Sequence, residues 1–228
     1  LDIIPKGMAG HSLGEYSALV AANSISIITA LELVRRRGEL MELAPSGSMS
    51  AIIGLEQTLI AELCNNASSG IDSHVQCANL NSPNQTVISG HEDAIERAQE
   101  LCSNNGAKRA LKLKVSIASH SQLMLEAAKE FHETLKNIEL SMPDIPILHN
   151  VTASSVDNLD DLQSVLVNQL YSPVRWVEIC SKIKSLNIPV IECGPGKVLA
   201  GLFKANKIEH YFSSSDDLFY EKINNYGQ

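Results

Sequence analysis

An α/β fold carrying a small inserted subdomain is predicted by three observations on this 228-residue sequence. The pentapeptide Gly10-His11-Ser12-Leu13-Gly14 fits G-x-S-x-G and stands between a strand end and a helix. Short segments rich in β-branched residues alternate with segments of helical period along the chain, which implies a mainly parallel, buried sheet. Residues 49–116 carry the order β-α-β-β-α-β, the pattern of a ferredoxin-like unit. The expected architecture is an α/β-hydrolase-like, parallel-sheet subdomain made of residues 1–48 and 117–228, with a ferredoxin-like (βαββαβ) small subdomain inserted at 49–116.

Met8 and Ala9 end a strand, Gly10 to Gly14 turn tightly, and a helix runs to about Val20. Ser26 or Thr29 opens a second helix that reaches about Leu43 before Pro45 and Gly47 stop it. The insert reads as a strand at 49–55, a helix at 58–65, strands at 75–80 and 86–89, a helix at 92–104 and a strand at 109–117. Asn81-Ser82-Pro83-Asn84 has the turn chemistry of a hairpin between the middle strands. An amphipathic helix follows His120 at 122–136, then a buried strand within 143–151, a helix at 159–170, a strand at 188–192, the turn Gly194-Pro195-Gly196 and a further helix.

Composition narrows the function classes. The chain is 44% hydrophobic, enough for a proper core, and contains no apolar run near the ~18 residues of a membrane span, nor a charged-then-apolar leader. The simplest expectation is a cytoplasmic monomer with no membrane partner. The five cysteines are odd in number, widely spaced and free of C-x-x-C, which argues against a disulfide framework or zinc site, so no metal is expected. A net charge of -8 disfavours nucleic acid as a partner. The chain begins at Leu1 rather than methionine, so a preceding segment is expected.

Three residues carry the chemistry. In a G-x-S-x-G elbow the serine hydroxyl is lifted out of the backbone at a helix N-terminus, so Ser12 is the candidate nucleophile and the Leu13 N–H a candidate oxyanion-hole donor. At about 100° per residue, Arg37 has Leu33 and Val34 one turn before it and Leu40 and Met41 one turn after. A guanidinium held against that apolar face needs an anion, which is either a substrate carboxylate or an internal Asp or Glu, unless the side chain reaches out to water. Arg35 and Arg36 lie near Glu32 and Glu39 and read as solvated charges. Of seven histidines, His120 follows a strand and precedes a helix, where α/β sites form, so it is the candidate base. His132 lies among Lys129, Glu133 and Lys136 and reads as solvent-facing, while His11 is inside the elbow.

The run Met8-Ala9-Gly10-His11-Ser12-Leu13-Gly14-Glu15-Tyr16-Ser17-Ala18-Leu19 resembles the malonyl-CoA:acyl carrier protein transacylases of fatty acid synthesis. Asn81-Ser82-Pro83, Ser119-His120-Ser121, Gln169-Leu170-Tyr171-Ser172-Pro173 and Gly194-Pro195-Gly196-Lys197 extend the resemblance to about residue 205. It implies an acyl transfer in two half-reactions, with malonyl-CoA as substrate, no permanently bound cofactor, and an acidic acyl carrier protein as partner. It also implies that Ser12 is the nucleophile and His120 the base, that the backbone carbonyl of Gln169 orients the ring, and that Arg37 grips the malonyl carboxylate. His11 and Asn81 fall on the substrate side, though Asn81 reads equally as turn chemistry. Family members carry a longer segment before the elbow, with a Gly-Gln-Gly-type loop that supplies a second oxyanion donor.

Lesser signals fit around this. Lys108, Arg109, Lys112, Lys114, Lys197 and Lys204 are candidates for a basic docking surface, or ordinary solvated charges. Gly194-Pro195-Gly196-Lys197 lacks Walker spacing and is either a phosphate contact or a plain turn. Asn84 and Asn150 begin glycosylation sequons with no other sign of secretion. Alternatives to a malonyl transferase are a polyketide acyltransferase domain, which shares these motifs; a serine esterase or thioesterase, which should hold its histidine with an Asp or Glu nearer the C-terminus; and a non-catalytic relative that only binds carrier or coenzyme A.

Overall fold

The computed structural model describes residues 3–226. The chain forms two compact units, Leu1–Trp176 and Val177–Gln228.

In the first unit, β1 (Met8–Ala9) leads through the elbow into α1 (Gly14–Ala21) and α2 (Ile27–Leu43). Ser26 caps α2, its hydroxyl accepting from the Thr29 N–H. The chain then enters β2 (Ser48–Ile53), α3 (Gln57–Ala67), β3 (Val75–Ser82), β4 (Gln85–Gly90), α4 (Glu92–Asn104) and β5 (Arg109–Lys112). α5 (Leu125–Leu135), β6 (Ile147–Leu148) and α6 (Leu159–Asn168) complete the unit, and α7 (Trp176–Leu186) begins at its last residue. The second unit holds β7 (Val190–Glu192), α8 (Val198–Ala205), β8 (Tyr211–Ser213) and α9 (Phe219–Asn224), with β7 and β8 paired in parallel. There the buried Glu192 carboxylate accepts the N–H groups of Leu199 and Ala200 in the first turn of α8.

The β2 to β5 segment is one sheet in the order β3-β4-β2-β5, antiparallel throughout. This is the split-βαβ arrangement expected of β-α-β-β-α-β. Both of its faces are buried. Ile52 and Ile88 face Ile60, Leu63, Ile95 and Ala98 on α3 and α4, while Met49, Ala51, Ala78 and Val87 form a second apolar cluster. The hairpin between β3 and β4 turns on Pro83-Asn84 alone, so the expected four-residue turn contributes its first two residues to β3.

The parallel sheet is smaller than the alternation of segments implies. Among the described residues of the first unit, β1 and β6 are the strands that pair in parallel, at Met8 with Ile147 and Ala9 with Leu148, and Asn79 and Val174 add an isolated parallel bridge. The strand expected at 109–117 ends at Lys112, and Ile117 returns only as an isolated bridge to Ser46. Around β1 and β6 a helical core packs Tyr16 and Leu19 of α1, Leu33 and Leu40 of α2, Phe131 and Leu135 of α5 and Leu162 and Leu166 of α6. That core carries the elbow on its rim.

Candidate active site

The elbow is forced by one glycine rather than two. A Cβ on Gly10 would lie 2.0 Å from the Gly14 carbonyl carbon and oxygen, so strand and helix approach too closely there for any side chain. Gly14 itself has open space around it. Ser12 adopts φ 51°, a left-handed backbone that costs an L-residue on the order of 1–2 kcal/mol and is held by its surroundings. The clamp is Asn150, buried just after β6: its Oδ1 accepts the Ser12 N–H at 2.6 Å and its Nδ2 donates to the Gly10 carbonyl at 2.6 Å. The N–H groups of Gly14, Glu15 and Tyr16 turn back to the carbonyls of His11, Ser12 and Leu13. The Leu13 N–H, at the start of α1, takes part in none of these bonds.

Ser12 Oγ lies 2.8 Å from His120 Nε2. Nδ1 of the same ring is 2.7 Å from the Gln169 backbone carbonyl, which only accepts, so Nδ1 carries the proton and Nε2 is free to accept from the serine. His120 is buried and itself has φ 58°. Its N–H donates to the Leu170 carbonyl, and Gln76 of β3 donates to the carbonyls of both His120 and Tyr171. The small sheet thus fixes the loop that carries His120. Burial, and then the Arg37 charge nearby, push the His120 pKa down to about 3, so the ring is neutral near pH 7.

Arg37 lies 6% exposed on α2. One of its Nη2 hydrogens reaches Ser12 Oγ at 3.4 Å, Gln169 Oε1 accepts at 3.3 Å, and the guanidinium carbon stands 5.8 Å from the centre of the Tyr16 ring. None of the ion pairs among the described residues involves Arg37, so of the three readings open in the sequence the internal salt bridge is absent and the solvated one is excluded by burial. Arg35 and Arg36, by contrast, share the exposed Glu39. His11 and Asn81 meet each other: His11 Nε2 is 2.8 Å from Asn81 Oδ1, with the ring 5.3 Å from that of Trp176. Burial lowers the His11 pKa. His132 is exposed, as its neighbours imply.

Four polar groups of the site, three buried and one half-buried, carry no local sequence signal for their role. Asn150 reads as a sequon, yet it is fully buried. Glu15 looks like an ordinary first-turn acid, yet it is 0% exposed and takes hydrogen bonds from His149 Nδ1, Gln169 Nε2 and the Asn150 N–H. The Gln169 side chain, as distinct from its carbonyl, and Gln76 complete the set. All act across long stretches of sequence, and only a paired-position signal from relatives could have exposed them.

A serine whose hydroxyl is bonded to a neutral, oriented imidazole, beside an unpaired buried cation, is equipped to form an acyl-enzyme from an acidic acyl group. Residues 3–204 match the acyl transferase domain family, and the chain belongs to that family. Among its relatives, the malonyl CoA-acyl carrier protein transacylase of Haemophilus influenzae is 47% identical over 204 residues, covering 88% of this chain and 65% of the relative. The protein of the same name from Bacillus subtilis is 44% identical over 206 residues, covering 89% and 65%. The chain therefore spans just under two thirds of the length of these relatives. Among solved structures, an acyl carrier protein S-malonyltransferase from Vibrio cholerae superposes with a TM-score of 0.92 at 44% identity, covering 97% of this chain and 73% of that one. A malonyl-transacylase in complex with a type II PKS acyl-carrier protein does so with a TM-score of 0.92 at 40% identity, covering 98% and 74%.

Proposed function

We propose that this protein moves a malonyl group from malonyl-CoA to the phosphopantetheine thiol of an acyl carrier protein through an ester on Ser12. The observation that carries the reading is Arg37: a buried guanidinium 3.4 Å from the nucleophile with no carboxylate partner among the described residues. An unpaired buried charge is unfavourable by several kcal/mol, and a free carboxylate on the substrate relieves it through a two-pronged contact. An acetyl group offers no such relief.

In the first half-reaction Ser12 Oγ attacks the thioester carbon while its proton passes to His120 Nε2. The Leu13 N–H and the α1 N-terminus stabilise the oxyanion. Coenzyme A leaves as a thiol, taking that proton from the imidazolium, and the malonyl ester remains. The carrier thiol then gives its proton to Nε2 and attacks the ester, and the proton returns to Ser12 as the product departs. Gln169 supports both halves by holding Nδ1–H. When the malonyl carboxylate offsets the Arg37 charge, one of the causes that depress the His120 pKa weakens, and the base strengthens with substrate in place.

A carbonyl rather than a carboxylate on the ring favours this reading over a serine esterase, since the nearest buried carboxylate of the elbow, Glu15, is occupied by three other donors. No cofactor is bound permanently in this scheme. No described helix is long and apolar enough to cross a membrane, and the proposal is a monomeric cytoplasmic enzyme with residues 49–116 inserted into the catalytic part, 1–48 and 117–228. For an acidic carrier, Lys108, Arg109 and Lys114 offer exposed charge in the first unit, whereas Lys112 pairs with Glu92. In the second unit Lys204 is exposed and Lys197 stands 3.5 Å from Asp216. The reading is tested by loading the protein with radiolabelled malonyl-CoA, removing nucleotide by gel filtration and adding carrier protein that bears phosphopantetheine. Label passing to the carrier supports it, and label that never co-elutes with the protein or passes only to water refutes it.

A further inference from the structure

We infer that Glu15, whose carboxylate touches neither the Ser12 hydroxyl nor the His120 ring, is a positioning residue for carboxylate recognition: it fixes the direction of the Gln169 side-chain amide and, through it, the place of the Arg37 guanidinium. The inference deepens the proposed malonyl transfer and rests on it.

The argument is one of donor and acceptor counts. A carboxylate oxygen can only accept, so the Gln169 nitrogen must face Glu15 Oε2, which it does at 2.6 Å. The same nitrogen also donates to the Ser12 carbonyl at 3.2 Å, which places both of its hydrogens. The amide oxygen then has one direction left, toward Arg37 Nη2 at 3.3 Å. Reversing the amide would set its nitrogen against a guanidinium that has nothing but donors, and against the lone pairs of nothing else. Glu15 is held in turn by His149 Nδ1 at 2.6 Å and by the Asn150 N–H at 3.2 Å, all in surroundings with 0% exposure for Glu15, His149, Asn150 and Gln169. Asn150 is also the clamp on the elbow. A single buried carboxylate therefore ties the elbow clamp, the residue whose carbonyl orients the base and the carboxylate-selecting arginine into one network, and its link to Arg37 runs through the Gln169 side-chain amide, whose direction it sets.

The test compares kcat/KM for malonyl-CoA with that for acetyl-CoA in the protein and its variants. In the unmodified protein a preference for malonyl is required by the proposed function itself; equal rates, or none, overturn that reading before Glu15 is in question. Given the preference, Glu15→Ala lowers the malonyl-to-acetyl ratio on the order of tenfold, the size of one charged hydrogen bond lost. Glu15→Gln, which can keep a carbonyl toward Gln169 and let His149 shift its proton, restores the ratio. In an Arg37→Ala background Glu15→Ala lowers the ratio no further. An equal loss on both substrates in Glu15→Ala, or a fall in the ratio that persists without Arg37, overturns the inference. Should Glu15→Ala not fold by circular dichroism, Gln169→Met interrupts the same link with the backbone carbonyl retained; the ratio falls as for Glu15→Ala if the inference holds, and an unchanged ratio overturns it.

Discussion

Replacing Arg37 with alanine removes a buried cation that reaches Ser12, and the size of the effect follows from its setting. The side chain is 6% exposed and has a neutral amide and a hydroxyl as its hydrogen-bond partners, so its charge is largely uncompensated before substrate arrives. A charge-assisted hydrogen bond contributes about 1.5–3 kcal/mol, and two from one guanidinium to one carboxylate would give several. Part of that is offset in Arg37→Ala by removal of the unpaired charge from the free protein, which leaves about 2–3 kcal/mol of net loss, or roughly 30- to 150-fold. The loss falls on kcat/KM for malonyl-CoA. Acetyl transfer, which never uses the guanidinium, should change little and gains slightly from a more basic His120. Arg37→Lys keeps the charge without the planar fork and should fall between the two. Coenzyme A release from each thioester, followed with a thiol reagent, measures both rates. Equal losses on malonyl and acetyl substrates would refute the reasoning, because Arg37 would then serve the nucleophile or the fold rather than the substrate carboxylate.

The elbow makes two further contrasts. Gly10→Ala drives a Cβ into the Gly14 backbone and should lower the melting temperature sharply and abolish activity, whereas Gly14→Ala has open space and a helical position and should be neutral or stabilising by up to about 1 kcal/mol; thermal melts of the two variants decide it. Asn150→Ala leaves the Ser12 N–H and Gly10 carbonyl without their partner and should destabilise by about 1–3 kcal/mol in a urea titration, with kcat falling more than KM changes. The pH profile follows from His120. Its pKa is depressed below the ordinary 6.5, so the deprotonated, base-competent form persists as pH falls and is lost only toward the folded value of about 3. The rate with acetyl-CoA should therefore stay flat from about pH 7 to about pH 5, where an unperturbed histidine would already have lost most of its base form. A half-loss near pH 6.5 would contradict it.

How much of this was legible beforehand divides along physical lines. Features set by local sequence were readable. The G-x-S-x-G spacing located the elbow, helical periodicity put Arg37 on an apolar face apart from Arg35 and Arg36, and alternating segments gave the β-α-β-β-α-β succession of elements. Strand lengths were not readable, because apolar residues beyond Lys112 satisfy the same pattern whether or not a neighbouring strand pairs with them. The parallel sheet was overestimated for the same reason: β1 and β6 pair over two residues each. The buried polar framework was hidden more deeply. Asn150 meets Ser12 across 138 residues and Gln169 meets Glu15 across 154, so their local surroundings resemble a sequon and a helix end. Even Gly14, half of the motif that made Ser12 the candidate nucleophile, turns out to be unconstrained by space, while Gly10 is tightly constrained.

The central claim is an acyl-enzyme at Ser12 selected by a carboxylate, and intact-mass spectrometry tests it most directly. The protein is mixed with malonyl-CoA and, separately, with acetyl-CoA, quenched in acid and mapped by peptide fragmentation. The account predicts a malonyl ester on Ser12 that is far more abundant than any acetyl ester and is lost in Arg37→Ala and in Ser12→Ala. A folded protein that takes no malonyl group, or takes it on another residue, would contradict the account.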